Sequence, residues 1–331
     1  MSAIEDQAGP RPRPGTLPPG VGPRRLPGGL APAFRSRPRG RRRTLLPQFL
    51  LAPAVLLFLL FTVAPGVYAI YLSFLKPQIG GGLLGNENPK DVFAGLENYR
   101  ATLADSEFWH SILRMLLVAG IGVPATIFFA TLFALCLDAK RARLVGIARL
   151  AIFLPYAVPG VIASLLWGFI YLPATSPIGG DHIDYFGSGQ VFFSVANVAV
   201  WGVLGFNMVV LYTTLRSLPR ELFEAAEIDG ASELQIALRI KLPLLAPTMT
   251  LVTVFSLIGA LQLFNEPTTL KPIANAISST WVPLMRVYTD AFVNNDIHRG
   301  AATSFLLIIM TVAATAVANL LLRRISRRSE R

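Results

Sequence analysis

TLLPQFLLAPAVLLFLLFTVAPGVYAIYLSFL, residues Thr44–Leu75, runs for 32 positions without an Asp, Glu, Lys or Arg. A helix needs about 20 mostly apolar residues to cross a bilayer core of roughly 30 Å. The stretch meets that length with residues to spare. Five more charge-free windows follow: Met115–Leu137, Leu150–Gly180, Tyr185–Leu215, Leu242–Asn265 and Ala301–Leu322. One such run could be a buried helix of a soluble protein, but six such runs in one chain argue against that reading. Inside lipid only helices and closed barrels satisfy every backbone group. A barrel strand takes only about 9–11 residues, so these windows are helices. The sequence therefore predicts an all-α membrane protein with six transmembrane helices, over about 45–73, 110–137, 147–172, 190–215, 244–265 and 301–322.

Composition agrees. Hydrophobic residues make up 53% of the chain and charged residues only 15%, against about 25% charged in a soluble domain. The net charge of +11 could suggest nucleic acid, but the basic residues are placed for a membrane. Ten arginines precede Thr44. Lys140, Arg141, Arg143 and Arg149 separate spans two and three, and Arg216, Arg220, Arg239 and Lys241 separate spans four and five. Five more arginines follow Leu322. Those segments hold 23 Lys and Arg, and the alternate segments hold six, with Arg114 at the start of span two left aside. Cytoplasmic segments carry the Lys/Arg excess. A bacterial cytoplasmic membrane protein with both termini cytoplasmic is expected, with membrane lipid and no nucleic acid among its partners.

Cys136 is the single cysteine and the histidines are only His110, His182 and His298. One thiol makes neither an internal disulfide nor a metal site, and no metal ligand set or catalytic residue is predicted. The Gly-x-x-x-x-Gly-Lys-Ser/Thr loop that cradles nucleotide phosphates does not occur. No span carries a charge in its middle, whereas ion-driven carriers commonly place ionisable residues there.

Residues 1–43 are rich in Pro, Gly and Arg without an apolar period. They read as a disordered basic cytoplasmic tail, not a cleavable signal. Residues 44–325 form the transmembrane domain and 326–331 a second cytoplasmic tail. Pro53, Pro65, Pro124, Pro155 and Pro159 lie inside predicted spans, where a missing N–H kinks a helix. The longest outside segment is Lys76–Trp109, with a flexible Gly80-Gly81-Gly82 run.

The loop between spans four and five, Arg216–Lys241, reads as helix–turn–helix. Pro219 suits an early helical position, and Glu221 and Glu224 suit the positive end of the helix dipole. Gly230 is placed to end the first helix in a left-handed conformation. Ser232 with Gln235 forms a capping-box pattern that starts the second, and Pro243 marks where that helix must stop or kink.

Glu224-Ala225-Ala226, three residues, Gly230, nine residues, Ile240, one residue, Leu242-Pro243 matches the pattern EAA-x3-G-x9-I-x-LP at every fixed position. The chain thereby resembles the permease subunits of binding-protein-dependent ABC importers, in the type I arrangement. The resemblance implies that loop 216–243 is a coupling element docking on an ATP-binding subunit. Glu224, Ala225, Ala226, Gly230, Ile240, Leu242 and Pro243 are its candidate residues. Two alanines allow close backbone approach, Glu224 offers a carboxylate to the partner, and Gly230 sets the angle between the short helices. ATP and Mg would then sit on partner subunits, and no cofactor on this chain.

Phe93-x-Gly95-Leu96-x-Asn98-Tyr99 before span two, and Tyr288, Ala291-Phe292 and Gly300-Ala301-Ala302 with Ser304 before span six, resemble the carbohydrate-uptake members. The likeness is to the maltose and oligosaccharide F-type subunit and spans residues 45–325. The family's Leu-Thr-x-Gly-Gly-Pro turn after span five is replaced here by Leu270-Lys271-Pro272-Ile273-Ala274. The resemblance implies a second, G-type permease subunit, two ATP-binding cassette subunits and an extracytoplasmic sugar-binding protein. It also implies a solute path between spans four and five. Sugars offer hydroxyls to amides and apolar faces to aromatics, so Trp201, Phe206, Asn207, Ser256, Gln262 and Asn265 are the candidates along it. Asn197 lies in span four and Glu266 at the outer end of span five. The expected function is alternating-access import of a di- or oligosaccharide, driven by ATP hydrolysis on the partners. The alternatives are the same architecture for glycerol phosphate or an amino acid, and a self-contained secondary carrier.

Overall fold

A computed structural model describes residues 46–78, 90–177 and 182–329. The expected disordered tail, the Gly80–Gly82 run and the end of the C-terminal tail lie outside the described residues. The chain divides into two units, residues 1–55 and 56–331. In the first, Phe49–Val55 belong to a helix and are exposed. The packing described below is that of the second.

Five helices are long and apolar enough to cross a membrane: Phe49–Ser73, Ser106–Asp138, Val191–Ser217, Glu233–Leu261 and Ile297–Leu321. A sixth segment is a bent pair. In chain order the elements are α1 (Leu46–Phe58) and α2 (Ala64–Ser73), joined through a π turn, Leu59–Val63. A short ribbon follows, with β1 (Leu75–Gln78) antiparallel to β2 (Lys90–Phe93) and Leu75 opposite Phe93. Next come α3 (Glu97–Ala104), α4 (Ser106–Asp138), α5 (Val145–Phe153), α6 (Gly160–Tyr171) and α7 (Val191–Ser217). The loop between spans four and five supplies α8 (Glu221–Ile228) and α9 (Glu233–Ile236), and α10 (Leu242–Leu261) follows. The chain ends with α11 (Asn265–Leu270), α12 (Pro283–Tyr288) and α13 (Ile297–Ser329). The ribbon is a small addition to the all-helical expectation, in the segment between spans one and two.

The buried residues of α4 recur at helical spacing, from Phe108, Ile112 and Met115 through Ala119 and Gly122 to Ala130, Ala134 and Leu137. Small residues dominate the buried face of its second half, as expected where helices in lipid gain from close contact and not from escaping water. Two clusters pin the directions of the helices. Phe108 and Ile112 pack with Val191 and Val195 at one end of the bundle, together with Leu261, Trp281 and Leu307. Ala134 and Leu137 pack with Leu211 and Leu215 at the other, together with Leu245. Hence α4 and α7 run parallel and α10 runs against both. The end carrying Lys140, Arg216 and Lys241 is called the basic end below.

Between the parallel α4 and α7, the segment expected as one span over 147–172 is broken. Residues 145–157 and 160–171 meet at 100°. Pro155 and Pro159 fall on successive turns, so two adjacent turns each lose a donor. Pro159 also pushes Val158 to an extended backbone, φ −82° and ψ 127°. A single proline is tolerated: α4 runs through Pro124 as one helix. Just before the break, backbone touches backbone. A Cβ on Gly205 of α7 would lie 2.3 Å from the Ile152 carbonyl oxygen and 2.6 Å from Phe153 Cα, so only glycine fits this crossing.

Two other boundaries differ from expectation. Pro243 does not end the loop's second helix. A π turn over Ala237–Lys241, with the Leu242 N–H donating to the Ala237 carbonyl, carries α9 into α10, so that Glu233–Leu261 is continuous. The wider turn absorbs the ring and the missing donor of Pro243. At its other end this helix stops at Leu261, four residues short of the expected Asn265. Gln262–Phe264 are irregular before α11 begins.

The loop at the basic end and the cavity between the helices

The loop folds as its local sequence dictates. Gly230 has φ +82°. Its N–H donates to the Glu227 carbonyl, and the Ala231 N–H donates to the Ala226 carbonyl, both at 2.9 Å. These are the paired bonds of a Schellman stop, in which the residue after the cap takes the left-handed conformation. Ser232 and Gln235 form a complete capping box: the Gln235 N–H donates to Ser232 Oγ at 3.4 Å and the Ser232 N–H to Gln235 Oε1 at 2.8 Å. Glu224 and Ala225 are exposed, Ala226 is half-buried, and apolar side chains stand out beside them, Ile228 at 87% and Leu234 at 68% exposure. Ile240 and Leu242 are half-buried and Pro243 is exposed.

Contacts that no local pattern predicts hold this loop to the end of α4. Lys241 Nζ donates to Asp138 Oδ2 at 2.6 Å, with side-chain exposures of only 11% and 9%. The Lys241 ammonium also sits 5.2 Å from the Phe223 ring centroid, and Arg216 reaches the other Asp138 oxygen at 3.9 Å. The Lys140 N–H donates to Glu233 Oε1 at 2.8 Å, and its ammonium pairs with Glu227. From sequence, Lys140, Arg216 and Lys241 counted only as charges that assign sides, and Asp138, Glu227 and Glu233 had no role. The available signal was that Asp138 ends one charge-free window and Lys241 begins another, at the same end of two spans and with opposite sign.

Farther along the bundle lies a cavity of about 430 Å³, walled by α4 (Gly122, Thr126), α7 (Val203, Phe206, Asn207), α10 (Phe255, Ser256, Gly259), Tyr156, and the irregular turn with its sequel (Gln262, Phe264, Asn265, Glu266). Five of the six path candidates meet here: Phe206, Asn207, Ser256, Gln262 and Asn265. The sixth, Trp201, is not on the wall. It sits edge-on to Trp167, ring centroids 6.1 Å apart. Asn197 likewise turns to another helix, donating to the Tyr171 hydroxyl at 2.8 Å. Asn207 is 4% exposed and its amide donates to Ser256 Oγ at 3.3 Å, which ties α7 to α10 at the cavity. Tyr156 and Phe206 stack with centroids 5.1 Å apart and form an aromatic face. Glu266, beyond the end of the span, lines the same space, and its burial raises the carboxyl pKa above the usual range. No Lys, Arg or His lines the cavity among the described residues. Tyr156, Phe255 and Phe264 were not singled out from sequence, because aromatics in a membrane span carry no mark of which way they face.

At the opposite end, the segments that resemble carbohydrate-uptake permeases act as clamps. The Asn98 amide donates to the Ser73 and Leu75 carbonyls at 2.9 and 2.7 Å, and the Tyr99 and Ser73 hydroxyls share a hydrogen bond at 2.5 Å. Gly95 makes the preceding turn at φ +57°. Gly300 lies where a Cβ would meet Ala291 Cβ at 2.9 Å. Nearby, Arg286 and Arg299 both donate to Asp105 Oδ2, at 2.5 and 2.8 Å.

Residues 101–331 match the family described as the binding-protein-dependent transport system inner membrane component. The chain belongs to this family. It is accordingly a multi-pass inner-membrane protein and a transport subunit, not an enzyme. The permease is 30% identical over 300 residues to the sn-glycerol-3-phosphate transport system permease protein UgpA of Salmonella choleraesuis (strain SC-B67), covering 86% of this chain and 94% of that one. It is 28% identical over 297 residues to UgpA of Escherichia coli O157:H7, with the same coverage. Among solved structures it resembles a chain of a bacterial ABC transporter involved in the import of the acidic polysaccharide alginate, with a TM-score of 0.72 at 20% identity, covering 86% of this permease and 96% of that chain. The same transporter in complex with an alginate pentasaccharide-bound periplasmic protein gives 0.71. At that identity the likeness concerns the fold.

Proposed function

We propose that this permease carries a neutral polyhydroxylated solute, a di- or oligosaccharide, through the cavity between α4, α7 and α10. One observation carries the substrate class: the wall combines amides and a hydroxyl (Asn207, Ser256, Gln262, Asn265), aromatic faces (Tyr156, Phe206, Phe255) and the carboxylate of Glu266, with no basic side chain among the described residues. Amides and hydroxyls exchange hydrogen bonds with sugar hydroxyls, and aromatics cover the apolar faces of sugar rings. A phosphate or uronate would lose water there with no cation to offset its charge.

The bent pair counts as one of six crossings in this reading, because α4 and α7 run parallel and only that segment lies between them. The charge asymmetry supports a cytoplasmic basic end, with both termini on the same side. There the exposed surface of Glu224, Ala225 and Ile228 suits docking on an ATP-binding subunit, with Gly230, Ile240, Leu242 and Pro243 setting its pose. A second permease subunit, two ATP-binding cassette subunits and an extracytoplasmic binding protein complete the importer. ATP and Mg sit on the cassette subunits, and lipid covers the exposed apolar faces.

The relatives' names favour a second reading, an anionic solute such as sn-glycerol 3-phosphate. Uptake by cells expressing the complete importer separates the two. A neutral disaccharide or trisaccharide should be accumulated and should stimulate ATP hydrolysis in the purified complex, and sn-glycerol 3-phosphate should do neither. Accumulation of the phosphate ester in preference to neutral sugars refutes the substrate class.

A further inference from the structure

We propose that Asp138 and Lys241 form a latch through which motion of the 216–243 loop reaches α4, the third wall of the cavity. Three helices contribute most of that wall, and they are attached to the loop differently. The chain itself joins α7 to the loop at Leu218, and the π turn joins the loop to α10 without a break. No such covalent link ties α4 to the loop, and beyond apolar packing near Leu137 its directional contact there is the polar set around its last residue, Asp138. Asp138 and Lys241 meet at 2.6 Å although they are 103 positions apart, and both are nearly buried. Around them Arg216 supports Asp138, and Lys140, two residues beyond α4, holds Glu233 and Glu227 on the loop's two short helices. Removing one partner of a buried pair leaves the other charge uncompensated, so the pair resists separation when the loop is pushed. Gly122 and Thr126 of α4 face the cavity. A displaced loop therefore moves all three walls together. With the latch open, α4 follows the loop only indirectly, through its apolar packing against α7 and α10. Lys241 occupies the variable position between Ile240 and Leu242, so the family pattern does not assign it this role.

The proposal rests on the coupling role assigned to the loop, and the test separates the two. In the complete complex reconstituted into liposomes, solute moved per ATP hydrolysed is measured for Asp138→Asn, Lys241→Met, the exchanged pair Asp138→Lys with Lys241→Asp, and Glu224→Lys. The single latch variants should assemble, bind and hydrolyse ATP, yet move about tenfold less solute per ATP. The exchanged pair should recover part of the loss, since the lysine at position 138 then stands near Arg216. Glue that merely stabilised the fold would lower the melting temperature and leave that ratio unchanged. If Glu224→Lys uncouples while both latch variants keep the parental ratio, the latch is refuted and the coupling loop stands. If Glu224→Lys also keeps the parental ratio, the coupling role fails and the latch falls with it. Should a single variant fail to assemble, the exchanged pair decides: assembly with at least part of the parental coupling supports the latch, and assembly without coupling, or failure to assemble, overturns it.

Discussion

Replacing Gly230 by asparagine, alanine and valine separates backbone strain from contact. No atom lies within 4 Å of where a Cβ would sit, while φ is +82°, so the cost of a side chain here is conformational. An L-residue in the left-handed region costs roughly 1–2 kcal/mol, which corresponds to about a 5–30-fold shift toward other turn geometries. Asparagine suffers least, since its side chain bonds locally and it substitutes for glycine at helix stops. Valine adds a β-branch that restricts χ1. Any escape from this turn breaks the bonds from the Gly230 N–H to Glu227 and from the Ala231 N–H to Ala226, and swings α8 with its Glu224, Ala225 and Ile228 surface. The assay is solute-stimulated ATP hydrolysis and uptake in liposomes carrying the full complex. The expected order is parent, then Gly230→Asn close to it, then Gly230→Ala about tenfold lower, with Gly230→Val inactive although its spans still insert. Equal activity across the series, or an equal loss in all three variants, would refute the reasoning, because neither outcome tracks the strain.

Gly205→Ala should prevent stable assembly. Its Cβ would overlap backbone at 2.3 Å, where no rotamer change relieves the clash, and overpacking a tight contact costs about 1–3 kcal/mol or more; a complex melting as the parent does refutes the crossing. Asn207→Leu should raise the half-saturating solute concentration, because it removes an amide from the cavity. Trp201→Ala should lower thermal stability through loss of the Trp167 contact without changing that concentration, and solute titrations of both variants distinguish the two effects. Asp105 is held at about 2, below its ordinary 3.8, first by the Arg286 hydrogen bond and also by the Arg286 and Arg299 charges. The lowered value means that its contribution is present above about pH 4 and disappears as pH falls through 2; Asp105→Asn should therefore flatten the acid-unfolding curve in that window, and an unchanged curve removes Asp105 from it. In a Cys136→Ala background, a cysteine at Ser188 should react with an impermeant thiol reagent from outside, and one at Ser232 only after the membrane is opened; the reverse pattern overturns the orientation.

Much of this permease is a local property of its chain. Whether a segment spans depends on some twenty consecutive apolar side chains, so the windows beginning at Thr44, Met115, Tyr185, Leu242 and Ala301 coincide with long helices. The turn at Gly230 and the cap at Ser232 are likewise set within a few residues, where backbone geometry and hydrogen bonds act. Tertiary structure decided which faces meet. A helix that is apolar all round carries no stripe to separate lipid from protein, and in lipid the contact is chosen by close packing and a few polar bonds. That is why Asn207 and Trp201, six positions apart on α7, looked equivalent in the sequence and point to different neighbours. It is also why Pro155 and Pro159 announced a disturbance but neither a 100° break nor the close crossing of Gly205 against Ile152 and Phe153 before it. The ion pairs Asp138–Lys241 and Asp105–Arg286 join residues 103 and 181 positions apart. Charge at a span's end is visible in the sequence, and its partner becomes visible only when the helices are side by side.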